Sequence, residues 1–147
     1  MSVFSALNVS ASGMTAQRLR LDLISQNIAN VNTTRDENGE VYRRQVAVFR
    51  EKTEGVGTFN NMLSATSTTY GRGVVVSAIA EDHVTAMKKV YDPSHPDADE
   101  DGYVTLPNVN TVTEMTNMID ASRSYEANVT AFNATKNMLL KGLEVGE

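Results

Sequence analysis

Apolar residues recur at steps of three, four and seven along the first thirty positions, at Phe4, Leu7, Met14, Leu21, Ile24, Ile28 and Val31. This spacing puts an apolar stripe on one side of a helix and predicts a single helix over residues 2 to about 32. The series Leu7, Met14, Leu21 and Ile28 is an unbroken heptad, whereas its companion series Ser10, Gln17, Ile24 and Val31 is half polar. Gly13 costs about 1 kcal/mol against alanine in a helix interior. Asn27, Asn30 and Asn32 weaken the free helix further and mark its exit, where asparagine tolerates a left-handed cap. Their amides also offer donors and acceptors to neighbouring helices. The helix is therefore weak alone.

The helical period returns from about Val112 to Leu143. Thr111 followed by Glu114 predicts a capping box, in which each side chain satisfies the other residue's backbone N–H. Met115, Ser122, Val129, Lys136 and Leu143 alternate with Met118, Tyr125, Phe132 and Leu139, and Ile119, Ala121 and Leu140 widen the stripe. Each terminal helix runs roughly 45–50 Å at 1.5 Å per residue, more than a globule of this length encloses. The two are expected to form an antiparallel coiled-coil pair. Leu19, Leu23 and Ile24 spread apolar surface over more than one face, so more helices are needed than one chain supplies. Assembly with further chains follows as an expectation.

Between the helices the period changes to two. Asn38-Gly39 is a hairpin-type turn signal ahead of Val41, Tyr42, Val46, Val48 and Phe49. Gly55, Gly57, Asn60, Asn61 and a Ser/Thr cluster predict a loop, and RGVVVSAIA and AMKKVY predict two more short strands. The stretch YDPSHPDADEDGYVTLP, Tyr91 to Pro107, holds all three prolines, and it is expected to be extended without regular structure. The fold class is therefore mainly α with a small β-rich insert. Three stretches are expected: an N-terminal assembly helix over 1–33, an insert and connector over 34–107, and a C-terminal assembly helix over 108–147.

Composition narrows the chemistry. A net charge of −5 and few clustered Lys or Arg residues argue against tracking nucleic-acid phosphates. No apolar run of about 18 residues exists to span a membrane. The N-terminus lacks the basic and continuous apolar regions of a cleavable signal peptide. With no cysteine, disulfides, thiolate metal sites and thiol catalysis are excluded.

Asp97, Asp99, Asp101 and Gly102 match the first half of a calcium-loop template. The second half fails, because Asn108 stands where a bidentate Glu is required and Pro107 precedes it. A solvated acidic turn is the simpler reading, with no metal. His83 and His95 are the only histidines, and no nucleophile elbow or phosphate-binding loop accompanies them. No enzyme and no cofactor are expected. Arg18, Arg20 and Asp22, with Arg123 and Glu126, are read as solvent-facing or inter-helix ion pairs worth fractions of a kcal/mol.

NIANVNT, Asn27 to Thr33, preceded by SASGMTAQRLRLDLIS, resembles the N-terminal signature of flagellar axial proteins, the rod, hook and hook-associated family. HPDADEDGYVTLPNVN, EMTNMIDASRSYEANVTAFNATKNML and VYRRQVAVF resemble the rod proteins of that family, so that the likeness covers nearly the whole chain. It implies a non-enzymatic structural subunit of the proximal rod, the drive shaft leading to the distal rod. Implied partners are copies of itself, other rod proteins and the flagellar type III export apparatus. The implied location is extracytoplasmic, in the basal body, reached without a cleaved signal.

The motif positions carried by the resemblance are Asn27, Ala29, Asn30 and Thr33, then Tyr103, Pro107, Asn108 and Asn110, then Arg123, Tyr125, Glu126 and Asn128. The assembly positions are Leu7, Met14, Leu21, Ile24, Asn27, Ile28, Asn30 and Val31 on the first helix. On the second they are Met115, Met118, Ile119, Tyr125, Val129, Phe132, Leu139 and Leu143. Two rival classes share part of this pattern. A coiled-coil adaptor or export chaperone needs neither NIANVNT nor GYVTLPNVN, and a calcium-binding module needs the acidic turn to hold metal.

Overall fold

The computed structural model describes residues 3–35, 39–52 and 72–144. Helix α1 spans Val3–Ala29 and helix α2 spans Thr111–Glu144, with strands β1 (Gln45–Glu51), β2 (Val74–Glu81), β3 (Lys88–Tyr91) and β4 (Tyr103–Leu106) between them. The fold is mainly helical with a small β insert. The loop read over Gly55–Asn61, and Asn38 of the turn signal, lie outside the described residues. Gly39 is described, and its φ of 82° is the left-handed conformation that glycine enters without a steric cost.

The strands form two two-stranded sheets, β1 with β2 and β3 with β4. The second pairing corrects the expectation of an irregular connector. Lys88 stands opposite Leu106 and Tyr91 opposite Tyr103 in an antiparallel ladder, and the Tyr91 and Tyr103 rings meet edge to face at 5.2 Å. Pro93 and Pro96 fall in the turn and Pro107 just past the strand, so none has to donate to the ladder. The turn is closed by carboxylates: Asp99 accepts the Asp101 and Tyr103 N–H groups, and Asp92 accepts the Ser94 N–H and hydroxyl.

The chain packs as two compact units. One comprises Met1–Arg18, Phe49–Ser77 and Ser122–Glu147, the other Leu19–Val48 and Ala78–Ala121. In the first, Gly13 of α1 lies so close to α2 that a Cβ built there would stand 2.6 Å from Asn128 Oδ1. Val74 N–H donates to Ser12 Oγ at 3.0 Å. In the second, Leu23, Ile24, Val104, Pro107 and Ala121 are buried, each large aliphatic side chain contributing roughly 1.5–3 kcal/mol when fully buried.

The buried stripe of each helix differs from the heptads read from apolar residues. On α2 it is Glu114, Ala121 and Thr135, with Asn128 half-buried, four residues seven apart, one step N-terminal to the series beginning at Met115. On α1 it takes in Ser10, Ala16, Leu23, Ile24 and Asn27, while Leu7, Met14, Leu21 and Ile28 remain half-buried. Small residues let backbones approach closely. The inward stripe of α2 is accordingly small or polar, and that of α1 combines such residues with Leu23 and Ile24.

Both predicted helix ends also need correction. Among the described residues no non-glycine residue has positive φ, so α1 does not end on a left-handed asparagine. Its exit is a tight turn in which Val31 N–H reaches Ile28 O and Thr33 N–H reaches Asn30 O. At the start of α2 the cap is Asn110, whose Oδ1 accepts the Val112 and Thr113 N–H groups, the usual N-cap geometry. The Thr111–Glu114 box does not form, because Glu114 turns inward.

Candidate assembly site

Within the second unit the two asparagine-rich motifs converge on one dipeptide, Arg44-Gln45, where β1 begins. Asn27, 1% exposed, uses its whole amide. Its Nδ2 donates to Gln45 O at 2.9 Å and to Glu114 Oε2 at 3.1 Å. Its Oδ1 accepts from Gln45 N–H and from the Tyr42 hydroxyl, each at 2.9 Å. Two donors and two acceptor sites are the full capacity of an asparagine. Toward Gln45 the side chain behaves like a neighbouring strand, matching both N–H and C=O.

Asn108 does the same for the next residue. Its Oδ1 accepts the Arg44 N–H at 2.9 Å, and its Nδ2 donates to Asp82 O at 2.7 Å and Thr85 O at 3.2 Å. The Asp82 N–H in turn reaches Arg44 O at 2.8 Å. The start of β1 is therefore held from the end of α1 and from the approach to α2.

Glu114 closes the network. Its side chain is 1% exposed. Beside Asn27, Arg44 brings Nε to Oε1 at 2.9 Å and Nη2 at 2.8 Å, and Asn117 Nδ2 adds a fourth donor at 3.2 Å. A carboxylate so deeply buried is tolerable only when paired and hydrogen-bonded. Burial, then Glu114 and Glu81, raises the Tyr42 phenol above its ordinary 10.0, so it stays a donor to Asn27. Asp82 is held below its ordinary 3.8, first by the Thr85 N–H and hydroxyl, then by the Val84 N–H and the nearby Arg44 guanidinium.

The alternating apolar pattern includes Tyr42 only as a strand residue and does not single out Arg44 or Gln45. A signal existed, since Tyr42 and Arg44 stand two apart and share one side of an extended segment, but nothing in a single sequence names Glu114 as the partner.

The other motif positions take local roles. Ala29 is the last helical residue and exposed, Asn30 Nδ2 donates to Gln26 O, and Thr33 Oγ1 donates to Asn30 Oδ1. Tyr103 lies on β4 and Pro107 is buried. Asn128 Nδ2 donates to Ser124 O, Tyr125 is half-buried, and Arg123 and Glu126 are exposed. Of the acidic turn, Asp97 accepts from Thr34 Oγ1 and pairs with Arg35 Nε at 2.7 Å. Among the described residues no group of His, Cys, Asp or Glu side chains is arranged to hold a metal ion.

Several of the larger apolar residues on the helices point outward. On α2, Val112, Met115 and Ile119 are 74%, 57% and 53% exposed at steps of three and four, a continuous outward stripe. In the first unit Phe4, Met138, Leu140 and Leu143 are exposed. Met118, Val129, Phe132 and Leu139, like Val31, are half-buried. Contiguous exposed apolar surface of this kind marks an interaction face.

Known proteins are similar to this chain in sequence from end to end. The family model described as "Flagella basal body rod protein" matches residues 7–35, and that described as "Flagellar basal body rod FlgEFG protein C-terminal" matches residues 100–145. The chain is 48% identical to the flagellar basal-body rod protein FlgC of Bacillus subtilis over the full length of both. The chain belongs to the FlgC family of flagellar basal-body rod proteins. It is also 45% identical to FlgC of Borreliella burgdorferi, over 99% of this chain and 98% of that one, and 35% identical to FlgC of Escherichia coli O6:H1 over the full length of both. The two matched stretches hold Asn27 on one side and Asn108, Asn110 and Glu114 on the other. Arg44, which joins them, lies in neither. Among the described residues of this FlgC-family chain, no helix is long and apolar enough to cross a membrane.

Proposed function

We propose that the chain is a structural subunit of the flagellar basal-body rod, assembling with copies of itself and with other rod proteins through the outward faces of its terminal helices. The observation that carries this reading is the division of α2. Its Glu114, Ala121 and Thr135 are buried within the chain, while Val112, Met115 and Ile119 are left to solvent. A chain meant to act alone gains nothing from that arrangement. A rod subunit gains many staggered apolar contacts with its neighbours, which is what transmitting torque requires.

In this reading the subunit belongs to the proximal rod, works outside the cytoplasm, passes through the flagellar export apparatus without a cleaved signal, and performs no catalysis. Weak terminal helices suit it, because ordering entropy is offset only where neighbours bury the outward stripes. The network at Arg44-Gln45 fixes where the insert leaves the helices. The test is complementation of a non-motile strain lacking this chain. Wild type restores swimming, and the pair Met115→Asp, Ile119→Asp does not, although the purified variant keeps its circular dichroism. Motility with the pair in place would refute the reading.

A further inference from the structure

The two compact units differ in charge. The unit of residues 1–18, 49–77 and 122–147 holds seven Lys and Arg residues against five Asp and Glu, whereas the unit of 19–48 and 78–121 holds six against thirteen. Their net charges are therefore +2 and −7, which together make the −5 of the chain. Surfaces of opposite sign attract and like surfaces repel. When two copies meet, charge favours the first unit of one against the second unit of the other.

On the second unit the surface prepared for such a meeting is the β3–β4 hairpin. Directly opposed residues of a ladder share a face, and successive residues alternate between faces. Val90 and Val104 therefore lie on one face, with Val104 buried. Lys89, Tyr91, Tyr103 and Thr105 lie on the other, where Tyr91 and Tyr103 are 64% and 42% exposed. The two rings brace each other, and Gly102 leaves no room for a side chain beside Tyr91 and Pro93. At the tip, Glu100 and Asp101 are exposed, and their carboxylates have no partner among the described residues. A braced aromatic pair costs little to order on binding, and tyrosine is enriched among the residues that dominate interface energies.

On the first unit the matching surface is the end of α2. Lys136, Leu140 and Leu143, at steps of four and three, share one side of the helix, and all three are exposed. Lys136 has no hydrogen bond or ion pair among the described residues. Glu144 follows at the edge of the same side, in an exposed pair with Lys141 of the kind that water screens.

The two patterns agree in order and in length. Along the helix, Lys136 and Glu144 are separated by about 12 Å at 1.5 Å per residue, with the leucines between them. Along the hairpin, Asp101 and the level of Thr105, which faces Lys89, are separated by up to about 13 Å at 3.3 Å per residue. The tyrosines lie between these two charges.

We propose that the end of α2 in one copy lies along the tyrosine face of the β3–β4 hairpin of a second copy. Lys136 meets Glu100 and Asp101, Leu140 and Leu143 cover the tyrosine rings, and Glu144 meets Lys89. The proposal rests on the rod reading and names one contact within it. Because different surfaces meet, the contact continues from copy to copy instead of closing a two-fold dimer.

A water-soluble carbodiimide, which joins an amine to a carboxylate in contact with it, tests this on the unaltered chain in isolated basal bodies. Peptides linking Lys136 to Glu100 or Asp101 are expected, in species of two or more chain masses. A link found only within one chain mass, a link from Lys136 to a protein of another mass, or no link at Lys136 overturns the proposal and leaves the rod reading intact. Absence of the chain from the basal bodies overturns both. Charge exchange gives a second readout. Lys136→Glu alone, and Glu100→Lys with Asp101→Lys, are each expected to reduce swimming several-fold, and the three together to restore it. Unchanged swimming in the first two variants, or no restoration in the third, overturns the pairing.

Discussion

Asn27 Nδ2 lies 3.1 Å from Glu114 Oε2, joining residues 87 positions apart at the end of α1 and the first turn of α2. Neither group is exposed, and each has every strong partner it needs only while the other, and Arg44, stay in place. Replacing Arg44 by methionine leaves the buried carboxylate unpaired, a change that typically costs about 3–5 kcal/mol. Urea unfolding of the purified chain should show this, and the double variant Arg44→Met, Glu114→Gln should recover part of it. Asn27→Ala, which strands both Gln45 backbone groups, should cost about 2–4 kcal/mol.

Asn110 and Thr111 give opposite forecasts from those of the capping box. Asn110→Ala should remove about 1 kcal/mol and fray the first turn of α2. Thr111→Ala should be within about 0.5 kcal/mol of wild type. Amide hydrogen exchange at Val112 and Thr113, whose N–H groups Asn110 accepts, distinguishes the two.

Gly73 combines positive φ with a close neighbour. Gly73→Ala should destabilise by more than the about 1–3 kcal/mol of backbone strain alone, because Ser12 must also move. Gly39, equally positive in φ but with open space around it, should lose only the strain when changed to alanine. Thermal unfolding of the two variants side by side gives the comparison.

Acid should loosen the loop at Asp82 only below the ordinary carboxylate range. Its folded carboxyl titrates below the ordinary 3.8, so the stabilisation is present above the unfolded value and is lost as pH falls from about 3.8 through the lower folded value. The Thr85 and Val84 amides, which donate to this carboxylate, should shift in an NMR titration over that range. Asp82→Asn should abolish the transition there.

Much of this architecture is legible in the sequence, for reasons that differ by element. The terminal helices are long enough for their period to stand out, and NIANVNT and LPNVN carry the asparagines that hold β1. The inward positions are only partly legible in an apolar period: Leu23 and Ile24 show in it, whereas Ser10, Ala16, Ala121 and Thr135 are buried for their size. β4 was hidden by prolines, although the β-branched run in YVTL was visible between them. Glu114 read as a capping residue because local spacing is all a sequence displays, while its partner Arg44 lies 70 residues away.

The most direct test of assembly through the outward helix face is chemical labelling of Ile119→Cys, and separately Met115→Cys, in this otherwise cysteine-free chain. Both thiols should react rapidly with a maleimide in the purified subunit and be protected in intact isolated basal bodies, with reactivity returning when the bodies are dissociated. Equal labelling in subunit and basal body would contradict the account.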